Sequence, residues 1–145
     1  MAKILGLDVG DASIGVAVSD TLGWTAQGIM TIRRENVGRD LSCLRRLIRE
    51  HDVSEVVVGM PLKMNGKADL QTRKILRFIK LLRENFRLPV YAWDERFSTV
   101  EENKALESGN VTRKKRADVI DKVAAIIILQ GYWDNKNEKL ALQEA

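Results

Sequence analysis

Lys3-Ile4-Leu5-Gly6-Leu7-Asp8-Val9-Gly10-Asp11-Ala12-Ser13-Ile14-Gly15-Val16-Ala17-Val18-Ser19 is the stretch on which the fold turns. It holds two apolar runs, Lys3 to Val9 and the valine-rich Ile14 to Ser19. Between them Gly10-Asp11-Ala12-Ser13 has turn composition at hairpin length, so the two runs read as antiparallel strands. Further along, Trp24 to Arg33 mixes β-branched residues with glycine and reads as a weaker third strand. Leu41, Leu44, Leu47 and Ile48 then fall at helical spacing, with Arg45, Arg46 and Arg49 on other faces. Val56-Val57-Val58, stopped by Gly59-Met60-Pro61, has the look of a buried parallel strand. Ile75, Phe78, Ile79 and Leu82 mark a second amphipathic helix that reaches about Asn85. Pro89 to Trp93 is a last strand, ending at Asp94-Glu95-Arg96. Ser98 is placed to cap a helix with Glu101 completing a capping box, and Ala117 to Trp133 is an apolar final helix. Leading strands followed by strands alternating with helices predict an α/β domain. Its sheet is mixed and five-stranded, with helices on both faces. One domain over 1–134 and a polar tail over 135–145 are expected.

Composition narrows the class. The chain has 145 residues, enough for one well-packed domain, and 45% of them are hydrophobic. No apolar run approaches the roughly 20 residues of a membrane helix, and Asp8 interrupts the first apolar run before a signal-peptide core can form. The single cysteine, Cys43, has no internal disulfide partner, which suits a reducing cytoplasm. The net charge of +4 allows a polyanionic partner without requiring one.

The chemistry-bearing candidates are acids at the carboxyl ends of strands, where open α/β sheets gather their functional groups. Asp8 ends the first strand among almost wholly apolar neighbours, and an ionised acid there is costly unless paired or metal-bound. Its bland alternative is an Asx-turn acid opening the hairpin. Glu95 follows the last strand, where a surface pair with Arg96 is the alternative. Asp118 and Asp121 share one face of the final helix at i, i+3, where acids also serve ordinary helix-start chemistry. The apolar run after Asp121 buries that helix against the sheet, and its alanines permit close approach. Together the acids suit hard divalent cations, Mg2+ or Mn2+. Two such ions about 4 Å apart can activate water and stabilise the leaving oxygen of a phosphodiester. No Cys/His cluster points to zinc. Arg113-Lys114-Lys115-Arg116 stands immediately before the acid-bearing helix as a phosphate-neutralising run, or as a solvated loop. Lys63, Lys67, Arg96 and Lys122 would crowd the same rim. His51 reads as a surface residue, Cys43 as packing, and Trp24, Trp93 and Trp133 as packing residues that also have the shape to stack on bases.

Gly6-Leu7-Asp8-Val9-Gly10 with Ile14-Gly15-Val16-Ala17-Val18-Ser19-Asp20 resembles the opening of the YqgF (RuvX) family. Val58-Gly59-Met60-Pro61-Leu62 with Gly66, Asp94-Glu95-Arg96-Phe97-Ser98-Thr99, and Asp121-Lys122-Val123-Ala124-Ala125 with Ile128-Leu129-Gln130 agree in order, from about Lys3 to Trp133. The resemblance implies a ribonuclease-H-like fold and a nuclease trimming the 5′ end of precursor small-subunit ribosomal RNA, or resolving Holliday junctions. It implies an acidic triad of Asp8, Glu95 and Asp121, with Asp118 outside the pattern. There is one departure: Ser13 stands where the family usually carries a basic residue, so a phosphate contact is expected to be lost or supplied from elsewhere. The wider superfamily often has an acid at the end of the strand that here closes on Gly59-Met60-Pro61, so Glu95 must reach in from the neighbouring strand. Two rival classes remain at this stage. One is an ATP-binding protein of the actin, sugar-kinase and chaperone superfamily, which needs two such domains. The other is a nucleic-acid-binding module without catalysis. No heptad seam decides between a monomer and a homodimer.

Overall fold

A computed structural model describes residues 3–20, 25–60, 70–94 and 113–144, and the side chains of the last helix over 120–135. The opening hairpin is formed by β1 (Lys3–Val9) and β2 (Ser13–Ser19), with Leu7 opposite Val16 and Asp8 opposite Gly15. The turn closes through Gly10 N–H donating to the Ser13 carbonyl at 2.9 Å. Ser13 is the first strand residue rather than part of the turn, because it pairs with Arg33 of β3 (Ala26–Arg33). Then come α1 (Val37–Glu50), β4 (Val53–Met60), α2 (Leu70–Phe86), β5 (Val90–Asp94) and α3 (Arg113–Glu144).

The strand order is β3-β2-β1-β4-β5, with the first three antiparallel and β1, β4 and β5 parallel. Strand alternation sorts the core into two. Leu5, Leu7, Val9, Ile14, Val16 and Val18 face one way and pack with Leu44 and Leu47 of α1 and Ile75, Phe78, Ile79 and Leu82 of α2. Ile4, Ala17 and Val57 face the other way, against Ala125, Ile128 and Leu129 of α3. Each large side chain so buried contributes on the order of 1.5–3 kcal/mol. Helices therefore cover both faces, and β1, β4 and β5 all release the backbone at the same rim. His51, the residue capping α1, sits at the opposite rim, just before β4 begins. Among the described residues no helix is long and apolar enough to cross a membrane.

The helices differ from the sequence expectation at their ends. Asn36 starts α1, its side chain accepting from Arg39 N–H at 2.9 Å, a cap that lies outside the leucine periodicity. The cationic run 113–116 forms the first turn of α3 instead of preceding the helix, since lysine and arginine are good helix formers. At the other end the helical backbone continues to Glu144, through the segment expected to be a polar tail. Ser98 and Glu101 lie outside the described residues, as does Trp24.

Candidate metal-binding active site

The site is built on the α3 face of the hairpin. Side chains directly opposite each other in an antiparallel pair share a face, so Asp8 points where a side chain on Gly15 would point. That direction is set by a close approach: a Cβ built on Gly15 would lie 1.9 Å from the Asp121 carbonyl oxygen and 2.4 Å from its carbonyl carbon. Glycine is required there because α3 rests its backbone on β2. A second contact, one helical turn further on, fixes the same track. A Cβ on Gly6 would lie 2.8 Å from Leu129 Cβ and 3.1 Å from the Ala125 carbonyl. The small residues thus let α3 descend until Asp121 stands over the strand pair that carries Asp8. Both acids are half-buried.

Ser13 completes this cluster. Its hydroxyl donates to Asp121 Oδ2 at 2.5 Å, joining β2 to α3 across 108 residues. Read from the sequence, Ser13 marked only a missing cation; in the structure it is the residue that orients Asp121. A carboxylate accepts several hydrogen bonds, so this one leaves other oxygen lone pairs available to a cation. A hydrogen bond to a charged acceptor contributes about 1.5–3 kcal/mol. Ser13→Ala should therefore raise the half-saturating Mn2+ concentration about tenfold while Ser13→Thr retains most of the affinity, measured by calorimetric titration. Equal affinity in the alanine variant would show that the hydroxyl does not position Asp121.

The turn below Asp8 is braced from the opposite face. Arg34 Nη1 donates to the Gly10 carbonyl at 2.8 Å and Arg34 Nε to Asp40 Oδ2 at 2.9 Å. Its guanidinium also lies 5.2 Å from the centre of the Phe78 ring. Asp40 is almost wholly buried, so removing Arg34 would leave a carboxylate without its partner inside the protein. The arginine ties β1–β2 to α1 and limits the freedom of the strand end that carries Asp8. Neither partner stood out in the sequence, where Arg34 is one of a pair of arginines after a weak strand.

The remaining candidates divide by what the structure describes. Lys122 packs its stem over Gly28, which would bring a Cβ within 3.4 Å of Lys122 Cβ, so it lies over β3 beside Asp121. Asp118 and Arg113, Lys114, Lys115 and Arg116 are placed on α3 by backbone, with Asp118 one turn before Asp121. Glu95, Arg96, Lys63 and Lys67 lie outside the described residues. Glu95 directly follows Asp94, the last residue of β5, which pairs with Met60 beside β1 and β4. Among the described residues no group of three acids, histidines or cysteines forms a metal cluster. The two triad members that are described are all-oxygen donors, a set that fits a hard divalent ion. Trp93 and Trp133 pack in the α3 core cluster, with Trp93 edge-on to Tyr132 at 6.4 Å. Tyr132 donates to Glu55 Oε2 at 3.0 Å; burial, reinforced by the Glu55 charge, pushes its phenol well above the ordinary value.

A mixed sheet opening with an antiparallel hairpin, flanked by helices on both faces and carrying acids at its parallel rim, defines the ribonuclease-H-like class. Solved structures share it. The structure of Thermus thermophilus RuvC in complex with Holliday junction substrate matches with a TM-score of 0.61 at 14% identity, covering 94% of this chain and 96% of that one. Fowlpox virus resolvase, solved with Holliday junction DNA, matches at 0.55 and 16% identity over 92% and 97%. The family described as "RuvX: Holliday junction resolvase" matches residues 2–135, and the chain belongs to it. A relative from Desulforamulus reducens, named "Putative pre-16S rRNA nuclease", is 51% identical over 92% of this chain and 97% of its own length. One of the same name from Heliobacterium modesticaldum is 46% identical over 99% and 96%.

Proposed function

We propose that this chain is a divalent-metal-dependent endonuclease that hydrolyses phosphodiesters in 5′-end maturation of precursor small-subunit ribosomal RNA. The observation that carries the reading is the seating of Asp121 on Gly15, directly across the hairpin from Asp8. Asp8, Glu95 and Asp121 are assigned as the residues that hold Mg2+ or Mn2+, with Asp118 a further candidate ligand. Bound divalent cations supply a more acidic water and neutralise charge on the reacting phosphate. Asp8 contributes from a strand end locked in the sheet, and Asp121 from a helix that Ser13 fixes in place. Arg96, Lys63, Lys67, Lys122 and the run Arg113, Lys114, Lys115 and Arg116 are assigned to the phosphate backbone, which they contact without reading sequence.

The substrate follows from the names of the relatives, and the ribosomal reading is preferred because they match nearly the whole chain at 45–51% identity. A second reading, resolution of branched DNA, is favoured by the family description and by the likeness to RuvC. Retention of all three acids speaks for an enzyme over a non-catalytic binding module. A single nuclease domain over 1–134 acting in the cytoplasm, as monomer or homodimer, completes the proposal. Precursor ribosomal RNA and a four-way DNA junction should be offered side by side with Mg2+ and with Mn2+. Cutting near the mature 5′ end of the RNA, in preference to the junction, is the expected result. Preferential cutting of the junction would assign the second reading, and no cutting of either would overturn the enzyme.

A further inference from the structure

The face of the sheet opposite the acids carries the strongest exposed charge among the described residues. Helix α2 bears Arg73, Lys74, Arg77, Lys80 and Arg83 against one acid, Glu84. Arg73, Arg77 and Lys80 are exposed, recur at i, i+4 and i+7 on one side of the helix, and have no hydrogen-bond or ion-pair partner among the described residues. Cations that outnumber the nearby acids repel one another and gain when a polyanion lies across them. Lys74 reaches Asp11 at 3.4 Å in the turn just beyond Asp8. An open cavity of about 520 Å³ adjoins this contact, lined by Asp11, Arg34, Lys74 and Arg77 together with the acids Glu35 and Asp40. The N-terminal half of α2 and the β1–β2 turn that follows Asp8 therefore meet at one open cavity.

We propose that α2 is a second nucleic-acid contact surface, holding the backbone of the substrate segment that flanks the scissile phosphate. This rests on the nuclease reading above and adds where the rest of the substrate lies. Arg73 and Lys80 are separated by about 10 Å along the helix axis, at 1.5 Å per residue, a span that serves two to three phosphates. The contact is electrostatic and independent of sequence, so it lengthens the footprint and leaves the choice of bond to the acid site.

The test is binding without turnover, in EDTA, of a long structured RNA and of a short oligonucleotide, by the whole protein and by the triple variant Arg73→Gln, Arg77→Gln, Lys80→Gln. All three positions are on the surface, and an unchanged melting temperature confirms that the variant is folded. The variant should bind the long RNA at least tenfold more weakly at about 100 mM salt. Its slope of log affinity against log salt should be shallower by about 2, or roughly 0.7 to 0.9 for each lost phosphate. Affinity for the short oligonucleotide should change much less. An unchanged slope for the long RNA overturns the proposal while leaving the nuclease reading intact. Failure of the unaltered protein to bind either RNA would instead overturn the ribosomal-RNA reading, and the proposal with it. A change in sedimentation of the protein alone, with RNA affinity unchanged, would assign the face to a protein contact and also overturn the proposal.

Discussion

Asp8→Asn is expected to lower metal-dependent cleavage at least about a hundredfold while the protein keeps its fold and melting temperature. The substitution preserves shape and removes only the negative charge. Asp8 is set in the central strand between β2 and β4, with Leu7 and Val9 buried on either side of it, so its backbone has no room to shift and compensate. Loss of one strong contact made to the reacting centre costs on the order of a hundred- to a thousandfold. The same change relieves repulsion among neighbouring carboxylates, so the folded state should be no less stable than the unaltered protein. The measurement is initial rate at saturating metal, with circular dichroism on the same sample. Near-normal rates from a folded variant would remove Asp8 from the catalytic set.

Gly15→Ala should damage both stability and activity. The added methyl would stand 1.9 Å from a backbone oxygen and 2.4 Å from a backbone carbon of Asp121, and backbone cannot rotate aside as a side chain can. Helix α3 must lift from β2, stretching the Ser13–Asp121 hydrogen bond and loosening Ala125 and Leu129 from the sheet. Overpacking costs about 1–3 kcal/mol, and a backbone clash belongs at the upper end. For a domain of this size that is a fall of roughly 10 °C in Tm. Cleavage should fall even at temperatures where the variant is folded, because Asp121 no longer stands over Asp8. Scanning calorimetry and rates at 20–25 °C separate the two effects. A variant as stable and active as the parent would show that the close approach is not needed.

The sheet and its topology were legible in the sequence because strand signals are local: the apolar runs Lys3–Val9 and Ile14–Ser19 on either side of a turn, and the valine run ended by Gly59-Met60-Pro61. Asp8 and Asp121 stood out by the same logic, an acid near a strand end and an acid on the last helix just ahead of its apolar stretch. What was hidden depends on contacts between distant residues. Ser13 meets Asp121 across 108 positions, and nothing local marks a serine as a carboxylate's partner. Its absent positive charge was visible, and the hydroxyl's use was not. Arg34 and Asp40 are similar, an ordinary charged pair until the fold buries the acid and aims the arginine at Gly10. Gly6, Gly15 and Gly28 did leave a trace, as small residues on the one sheet face that α3 covers. The start of α3 is hidden because Arg113 to Arg116 stands out by its charge, although lysine and arginine carry a helix as readily as a loop.

Acids from a strand end, a helix and the chain just after β5 are proposed to hold metal as one unit. Mn2+ binding, measured by electron paramagnetic resonance on the unaltered protein and on Asp8→Asn, Glu95→Gln and Asp121→Asn, tests it most directly. Each single variant should lose most of the affinity, and Glu95→Gln combined with Asp121→Asn should be little worse than either alone, as for residues that act together. Asp118→Asn should bind nearly as the parent does. Full Mn2+ affinity in Glu95→Gln together with its loss in Asp118→Asn would redraw the triad, and full affinity in all three triad variants would contradict the account.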